Sequence, residues 1–323
     1  MIMTRTDGWA FIVNPIAGNG FGATCVQTVK DMMKSHGASG EVVVTRAKGH
    51  ATQLAAGFAE KGFRAIVGVG GDGTMSEVCE PLIGRRGVLF GAVAAGTGND
   101  FIHILGFPNR FEEKDWDALF AGASTDMDVG TCNGRHFING MGLGFDAQVA
   151  WMNYHMENGG EVRKGSASKY MWHIVKTIFQ YKEKDMRLTL DGVSEQRKCF
   201  VNTIANGRRL AGGLYLTPRA MADDGLLDVC LMEPLSIPGR FRELVSVMKK
   251  THLEDAVVHY HQCARIEAEF EEDVPAHLDG ELISGRRFVI EAVPAALRVI
   301  YNPAAEHYFR SGSRGDSSSP LTP

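Results

Sequence analysis

The sequence has few features of secreted, membrane-spanning or nucleic-acid-binding proteins. Its six cysteines lie far apart with no C-x-x-C pair, so they are predicted to be small buried side chains in a reducing compartment. No apolar run approaches the ~18 residues of a membrane span, and the first residues carry no hydrophobic core of signal-peptide length. The net charge of −4 excludes the global basic field that attracts nucleic acid. We therefore expect a soluble, cytoplasmic protein with no nucleic-acid partner.

The length and composition indicate two ordinary globular domains. A chain of 323 residues exceeds the usual size of one domain. An apolar content of 44% and a charged content of 22% are those of a soluble protein with enough chain for a core in each domain.

A glycine-rich string dominates the first half of the chain. Gly70-Gly71-Asp72-Gly73-Thr74 follows a short apolar run, 65–69, which is typical of a buried strand. Thr74 is predicted to cap a helix that carries Val78 and Leu82 on one face. Glycines at such a turn let a bulky anion approach the backbone amides at the positive end of the helix. A carboxylate repels phosphate, so Asp72 is expected to act through a divalent cation and its waters.

Strands and helices alternate through the first 100 residues. Strands are predicted at 9–13, 42–45, 65–69 and 87–93, each followed by a helical pattern or a glycine-rich turn. This rhythm predicts a parallel sheet flanked by helices, with ligands at the carboxyl ends of its strands. Polar residues and glycines fall at these ends: Asn14, Gly18, Thr45, Asp72, Thr97 and Asp100.

The pattern changes after Gly130. A strand is predicted over 135–140, a flexible glycine-rich turn over 141–146, and helices over 147–157 and 166–182. Short strands follow at 186–190, 199–205, 226–232, 256–270, 275–279, 287–291 and 297–300, interrupted by a helix at about 237–251. These features predict a mostly antiparallel β domain, sandwich-like or barrel-like, with a boundary near residue 130. Residues 311–323 are predicted to be a disordered tail.

Acidic residues form a second chemical cluster in this β domain. Asp224-Gly225 precedes a strand, which is either a plain turn or a cation site using the Asp224 carboxylate and nearby carbonyls. Glu281 follows Asp279-Gly280 at the end of an apolar strand. Its position suits a general base, and it is equally compatible with an exposed turn acid.

The string Gly70-Gly71-Asp72-Gly73-Thr74-x-x-Glu77-Val78, followed by Gly96-Thr97-Gly98-Asn99-Asp100, resembles the diacylglycerol kinase catalytic domain. The soluble bacterial lipid kinases are the most similar branch. Further strings fit in order: Asn14-Pro15, Asp126-x-Asp128-x-Gly130, Asn139-x-x-Gly142, Phe145-Asp146, Asp224-Gly225-Leu226-Leu227-Asp228 and Leu278-Asp279-Gly280-Glu281. The resemblance covers residues 9–302 and implies an α/β domain over 1–130 with a parallel sheet, as in NAD and diacylglycerol kinases. It also implies a β-sandwich lipid-substrate domain over 131–301, with the active site in the interdomain cleft and residues 302–310 returning to the first domain.

The resemblance also implies the roles of individual residues. ATP, accompanied by Mg²⁺, would be bound by Asn14, Thr45, Gly70, Gly71, Asp72, Gly73, Thr74, Glu77 and Thr97. Asp72, Asp100 and Asp128 would hold water and this Mg²⁺, with Asp72 also acting in catalysis. Glu281 would be the base that takes the proton from the lipid hydroxyl. A separate structural Mg²⁺ would be bound by Asp224 and the carbonyls of Met221 and Leu226.

The implied activity is an ATP-dependent lipid kinase. It would phosphorylate the primary hydroxyl of diacylglycerol or a related lipid to give a phospholipid such as phosphatidic acid. Two alternatives stay open at this point: a soluble kinase of the NAD kinase type, and a non-catalytic regulator that binds lipid or nucleotide. The identity of the lipid and the oligomeric state are left open as well.

Residues 163–187 are candidates for peripheral contact with the inner face of the membrane. They contain seven basic and two acidic residues, a balance of 7 − 2 = +5, with Tyr170, Trp172 and Phe179 interleaved. This composition suits interfacial docking to a lipid surface. A solvated helix with its apolar face on the core explains the same pattern, and both interpretations stay open. Arg208 and Arg209 are expected to lie on a solvated face.

Overall fold

A computed structural model describes residues 6–156, 162–164 and 167–310. The predicted disordered tail, 311–323, lies outside the described residues, as do residues 1–5 of the start that was predicted to carry no signal peptide. Side chains are described for these residues except 6 and 153–170.

The first lobe is a parallel sheet flanked by helices. Its strands lie in the order β2-β1-β3-β4, and all of these pairs are parallel. The elements are β1 (Thr6–Val13), α1 (Phe21–Ser35), β2 (Gly40–Val44), α2 (His50–Glu60), β3 (Phe63–Gly70), α3 (Asp72–Cys79), β4 (Leu89–Ala94) and α4 (Glu113–Ala121). Short 3-10 turns lie at Glu80–Leu82 and Phe101–His103. The last six residues of β3 are fully buried, as expected of a central strand with helices on both faces.

The second lobe is built from antiparallel strands with a helical layer. Its elements are β5 (Ser124–Cys132), β6 (Arg135–Phe137), β7 (Gly140–Gly144), α5 (Phe145–Asn153), β8 (Tyr154–Met156), β9 (Val162–Lys164), α6 (Ala167–Gln180), β10 (Asp185–Leu190), β11 (Val193–Lys198), β12 (Val201–Ala205), β13 (Leu227–Met232), α7 (Ile237–Lys249), β14 (Val258–Cys263), β15 (Arg265–Leu278) and β16 (Glu281–Ile300). A 3-10 turn lies at His252–Glu254. The run β14-β13-β12-β7-β15-β16 is antiparallel throughout.

One long strand connects the two lobes. The first part of β16 pairs with β15 in the second lobe, and its end pairs with β5 and, through Val299 and Phe90, with β4 of the first lobe. The hydrogen-bonded sheet is therefore continuous from one lobe to the other. The domain boundary predicted near residue 130 falls inside β5.

The chain after β16 returns to the first lobe. The Asn302 amide donates to the Leu105 carbonyl at 2.8 Å, and the Tyr308 amide donates to the Ile104 carbonyl at 3.1 Å. Tyr308 and Phe309 are buried in the hydrophobic cluster of this lobe. Together with the parallel and antiparallel halves, this arrangement confirms the predicted fold class.

The glycine-rich stretch 141–146 was expected to be a flexible turn, and this prediction was wrong. Gly140–Gly144 is strand β7, paired on one side with β12 and on the other with β15. Its glycines provide room for neighbouring side chains. A Cβ on Gly142 would lie 2.5 Å from the Cβ of Asp146, and one on Gly144 would lie 2.2 Å from the hydroxyl of Tyr181.

Two further findings concern the apolar side chains. All six cysteines lie within the described residues and are buried with free thiols, as their placement in apolar runs predicted. Among the helices in the described part of the chain, none is long and apolar enough to cross a bilayer.

Candidate active site between the two lobes

Two glycine turns touch at the carboxyl ends of β3 and β4. The amides of Ala95 and Gly96 donate to the Gly70 carbonyl at 2.7 and 3.1 Å. A Cβ on Gly96 would lie 2.4 Å from the Cα of Gly71, and one on Gly71 would lie 3.2 Å from the Cα of Gly96. The two backbones therefore approach more closely than side chains would allow.

Polar side chains brace these turns. The Asn99 side chain accepts from the Gly96 amide and donates to the Gly96 carbonyl, both at 2.9 Å. The Asn14 side-chain amide donates to the Thr74 hydroxyl at 3.0 Å, which brings together two residues predicted to line the nucleotide site. The prediction that Thr74 caps the helix was wrong. Gly71 is the N-cap of α3, and Thr74 lies inside its first turn.

Asp72 and Asp100 lie at the carboxyl end of the parallel sheet, as the sequence predicted. Oδ1 of Asp72 accepts from the Phe101 amide at 3.0 Å, and Oδ2 of Asp100 accepts from the Gly212 amide at 2.7 Å. Oδ2 of Asp72 lies 3.1 Å from the position of a Cβ on Gly98. Carboxylate oxygens are ligands that Mg²⁺ prefers, so these two acids have the chemistry to hold a cation that accompanies a nucleotide.

A tight hairpin turn brings the second lobe close to Asp72. Asp279 (φ +47°) and Gly280 (φ +83°) connect β15 to β16, with Leu278 opposite Glu281. Asp-Gly favours the left-handed conformations that this type of two-residue turn needs. The buried Asp279 carboxylate accepts from the amides of residues 138, 139 and 140 at 2.7, 3.0 and 2.9 Å.

Asp279 also contacts the first lobe. The Ser76 hydroxyl on α3 donates to its Oδ2 at 3.3 Å. Burial raises the pKa of Asp279 to about 6, three main-chain amides oppose this rise, and the nearby negative charge of Asp72 adds to it. Asp72 therefore lies close to the turn that carries Glu281.

Glu281 forms ion pairs with two cations. Its Oε1 lies 2.8 Å from Nζ of Lys48, and its Oε2 accepts from Nη2 of Arg135 at 2.9 Å. Lys48 belongs to the loop between β2 and α2, and Arg135 is the first residue of β6. The side chain of Glu281 is 44% exposed, so solvent and substrate can reach it.

Other predicted nucleotide residues line the same edge of the sheet without a shared contact. The Thr45 amide donates to the Val13 carbonyl at 2.9 Å, and a cavity of about 440 Å³ lies alongside. That cavity is lined by Val43, Val44, Arg46, His50 and Leu54. Glu77 is half-buried on α3 and Thr97 is exposed on its turn. Their roles in binding ATP stay predictions.

Asp128 has different hydrogen-bond partners from Asp72 and Asp100. Its Oδ1 accepts from the Ala295 amide at 2.8 Å and its Oδ2 from the Gly225 amide at 2.6 Å. Burial raises the pKa of this carboxyl, and the charges of Asp224 and Asp223 add to the effect. The predicted role in holding Mg²⁺ stays a prediction, and these contacts favour a structural role for Asp128 between β5 and the 221–228 loop.

The carboxylate of the predicted structural Mg²⁺ site already has protein partners. Oδ1 of Asp224 accepts from the Leu226 amide at 3.0 Å, and its Oδ2 lies 3.5 Å from Nη2 of Arg310. Within the part of the chain that the structure describes, no three His, Cys, Asp or Glu side chains form a metal-binding group. One carboxylate with the carbonyls of Met221 and Leu226 is nevertheless a ligand set that a hard cation accepts when water completes it.

Arg209 was predicted from the sequence to lie on a solvated face, and this prediction was wrong. Its side chain is only 15% exposed, and its Nε lies 3.7 Å from Oδ1 of Asp100. Nη1 contacts Nε2 of His103. Burial, and then the charge of Arg209, lower the pKa of His103 to about 4, so the imidazole is neutral at neutral pH and can accept from the guanidinium. The only sequence signal is position, since Arg209 closely follows the buried strand β12.

Comparisons with known proteins point in one direction. The model of the diacylglycerol kinase catalytic domain matches residues 8–132. The model of the YegS C-terminal NAD kinase beta sandwich-like domain matches residues 139–301.

Individual proteins agree with these models. A Pseudomonas aeruginosa protein (strain UCBPP-PA14) named "Probable lipid kinase YegS-like" is 31% identical over 85% of this chain and 88% of its own length. The diacylglycerol kinase of Bacillus subtilis (strain 168) is 25% identical over 84% of this chain and 88% of its own. The crystal structure of a diacylglycerol kinase from Bacillus anthracis str. Sterne has the same fold, with a TM-score of 0.73 at 23% identity, covering 94% of this chain and 99% of that one.

Proposed function

We propose the acceptor of this chain, which belongs to the diacylglycerol kinase and YegS lipid kinase family and is thus a lipid kinase with ATP as phosphate donor. The γ-phosphoryl group is transferred to the primary hydroxyl of diacylglycerol or a related lipid. The product is a phospholipid such as phosphatidic acid.

The contact between α3 and the β15–β16 turn is the main support for this proposal. Ser76 and Asp279 join the helix that begins at Asp72 to the turn that precedes Glu281. A phosphate-binding turn and a carboxylate on opposite sides of one crevice suit a kinase whose acceptor is an alcohol.

Glu281 acts as the general base in this mechanism. The lipid hydroxyl oxygen forms a bond to the γ-phosphorus while the bond from that phosphorus to the bridging β–γ oxygen breaks, so ADP leaves with the bond's electron pair. The hydroxyl proton passes to the Glu281 carboxylate. A positioned base of this kind typically contributes about 10²–10⁴-fold to the rate.

Main-chain and side-chain groups neutralise the phosphate charge. The amides at the start of α3, beside the turn at Gly71, bind phosphate oxygens, helped by the helix dipole. Arg209, beside Asp100, adds a fixed positive charge. Asp72 and Asp100 would hold the Mg²⁺ that accompanies ATP, and this ion would supply further positive charge when bound. The separate structural Mg²⁺, at Asp224 and the carbonyls of Met221 and Leu226, belongs to the same proposal.

A panel of acceptors tests the proposed function. The purified chain is incubated with Mg²⁺ and ATP labelled at the γ-phosphate, together with diacylglycerol, monoacylglycerol, phosphatidylglycerol, ceramide, a sphingoid base or NAD⁺. We expect label in one or more of the lipids and none in NAD⁺. Label in NAD⁺ alone, or in no acceptor, contradicts the proposal.

We also propose that helices α6 and α7 bring the enzyme to the inner face of an anionic membrane. Trp172 and Phe179 on α6 are 64% and 58% exposed, and Met248 on α7 is 57% exposed. Phe179 packs against Phe241 with ring centroids 5.6 Å apart, so the two helices form one apolar surface. Exposed Lys176, Lys182 and Lys249 accompany it. The substrate of a lipid kinase lies in a bilayer, and aromatic side chains with basic neighbours bind at such an interface.

Vesicle flotation tests this surface. Wild-type protein is expected to float with vesicles that contain phosphatidylglycerol. The double change Trp172→Ser, Phe179→Ser should lower binding at least about tenfold, because one buried aromatic side chain contributes about 1.5–3 kcal/mol. Val193→Ser is the control, since Val193 is 75% exposed on β11. Absence of binding to any vesicle, or equal binding by the double variant and the control, refutes the docking surface.

A further inference from the structure

The carboxylate proposed as the base is covered by cations from two different elements. Lys48 reaches Oε1 of Glu281 from the first lobe, and Arg135 reaches Oε2 from the β5–β6 hairpin. Other charged groups nearby have different partners. Asp279, in the same turn, is buried against the amides of residues 138–140, and His136, next to Arg135, contacts Oε1 of Glu80 at 3.1 Å.

A lipid hydroxyl that donates to Glu281 shares a carboxylate oxygen with one of these cations. Each oxygen has a further lone pair for that hydrogen bond, but the transferred proton would then lie beside a positive charge. The two ion pairs therefore oppose the proton transfer, and release of the cations favours it. Lys48 is 83% exposed and Arg135 is 52% exposed, and such surface pairs are weak, so opening them takes little free energy.

The substrate itself supplies a stronger partner for both cations. Lys48 lies three residues after Thr45, in the loop predicted to line the nucleotide site. A triphosphate carries several negative charges, and arginine binds phosphate oxygens through two parallel hydrogen bonds. Bound ATP thus competes directly with Glu281 for Lys48 and Arg135.

We propose that Lys48 and Arg135 exchange partners during the reaction cycle. They pair with Glu281 in the free enzyme and bind the triphosphate in the nucleotide complex, so ATP binding frees Glu281 to take the proton of the lipid hydroxyl. Both are positioning residues for the proposed base, and the inference rests on the proposed function of Glu281.

Equilibrium binding of a non-hydrolysable ATP analogue with Mg²⁺ tests the exchange without catalysis. Glu281→Gln removes the competing charge, so this variant is expected to bind the analogue about 3- to 10-fold more tightly than wild type. The double variant Lys48→Met, Arg135→Met should bind it at least about tenfold more weakly. Adding Glu281→Gln to that double variant should not tighten binding of the analogue. Lys48→Arg in place of Lys48→Met keeps the positive charge, so it should restore most of the affinity for the analogue.

A matched ion pair further along the β15–β16 hairpin provides the control. Arg286 and Asp273 lie 3.1 Å apart with side chains 66% and 67% exposed, so Arg286→Met should leave analogue binding unchanged. Wild-type affinity in both Glu281→Gln and the Lys48, Arg135 double variant would overturn the exchange. Failure of the base itself is recognised separately, because Glu281→Gln would then keep wild-type turnover whatever its affinity for the analogue.

Discussion

Glu281→Gln is expected to lower kcat by about 10²–10⁴-fold while the enzyme still binds ATP. The amide has nearly the shape of the carboxylate but cannot take the proton of the lipid hydroxyl. The change lies at the first residue of β16, on an exposed turn, so the fold should be unaffected. Initial rates of phosphate transfer to the accepted lipid, with nucleotide binding measured in parallel, provide the check.

Glu291→Gln is the matched control for this substitution. Glu291 lies on the same strand with 48% exposure and is also paired with an arginine, Arg265. It should retain wild-type kcat because it faces no phosphate-binding turn. Wild-type turnover by Glu281→Gln would remove that residue from the role of base, and equal losses in both variants would indicate a general effect of weakening the strand.

Gly96→Ala is expected to be the most damaging single change at the two touching glycine turns. The added methyl group would lie 2.4 Å from the Cα of Gly71, a backbone atom that cannot rotate away. Forcing the turns apart should lower the free energy of unfolding by about 1–3 kcal/mol. It should also lower kcat/KM for ATP by about 10²-fold, since displacing a reacting group by roughly 1 Å has effects of that size. Denaturant unfolding and steady-state kinetics measure the two effects.

Gly73→Ala tests whether the effect of Gly96→Ala comes from crowding by the added methyl group or from the loss of a glycine as such. Gly73 lies in the same motif, within α3, and a Cβ there would meet no atom of the described residues within 4 Å. Alanine favours a helix over glycine by up to about 1 kcal/mol, so the free energy of unfolding should stay the same or rise. If Gly96→Ala is as stable and active as Gly73→Ala, the close approach of the two turns is not required.

Much of the first lobe could be predicted because its signals are local. Buried strands such as β3 appear as continuous apolar runs, and glycine-rich turns mark the carboxyl ends of β3 and β4. The edge of the sheet then follows from topology, which is why Asp72 and Asp100 were placed correctly at one edge of the sheet.

The second lobe could be predicted only in outline. Short strands at 275–279, 287–291 and 297–300 were expected, whereas the structure has two long strands, β15 and β16. Pro275 and Pro294 resemble strand ends in the sequence. In the structure Pro275 pairs with Ser284, and Pro294 lies at an irregularity between Val293 and Leu297, where a missing amide is tolerated.

The cations of the site could not be found from the sequence. Lys48 and Arg135 reach Glu281 across sequence separations of more than a hundred residues, and nothing in their local patterns distinguishes them from ordinary surface residues. Arg209 belongs to a basic pair that resembles a solvated surface. Their positions follow from tertiary packing, which local patterns do not contain.

The long strand β16 has a mechanical consequence. Its first residue is the proposed base, and its far end is hydrogen-bonded into the sheet of the first lobe, so the strand that carries the base is anchored in the opposite lobe. The pairing of β16 with β5 is irregular between Val293 and Leu297. Within this stretch Ala295 has φ +51° and its amide donates to the buried Asp128, so this acid of β5 holds the strand at its irregular point between the two lobes.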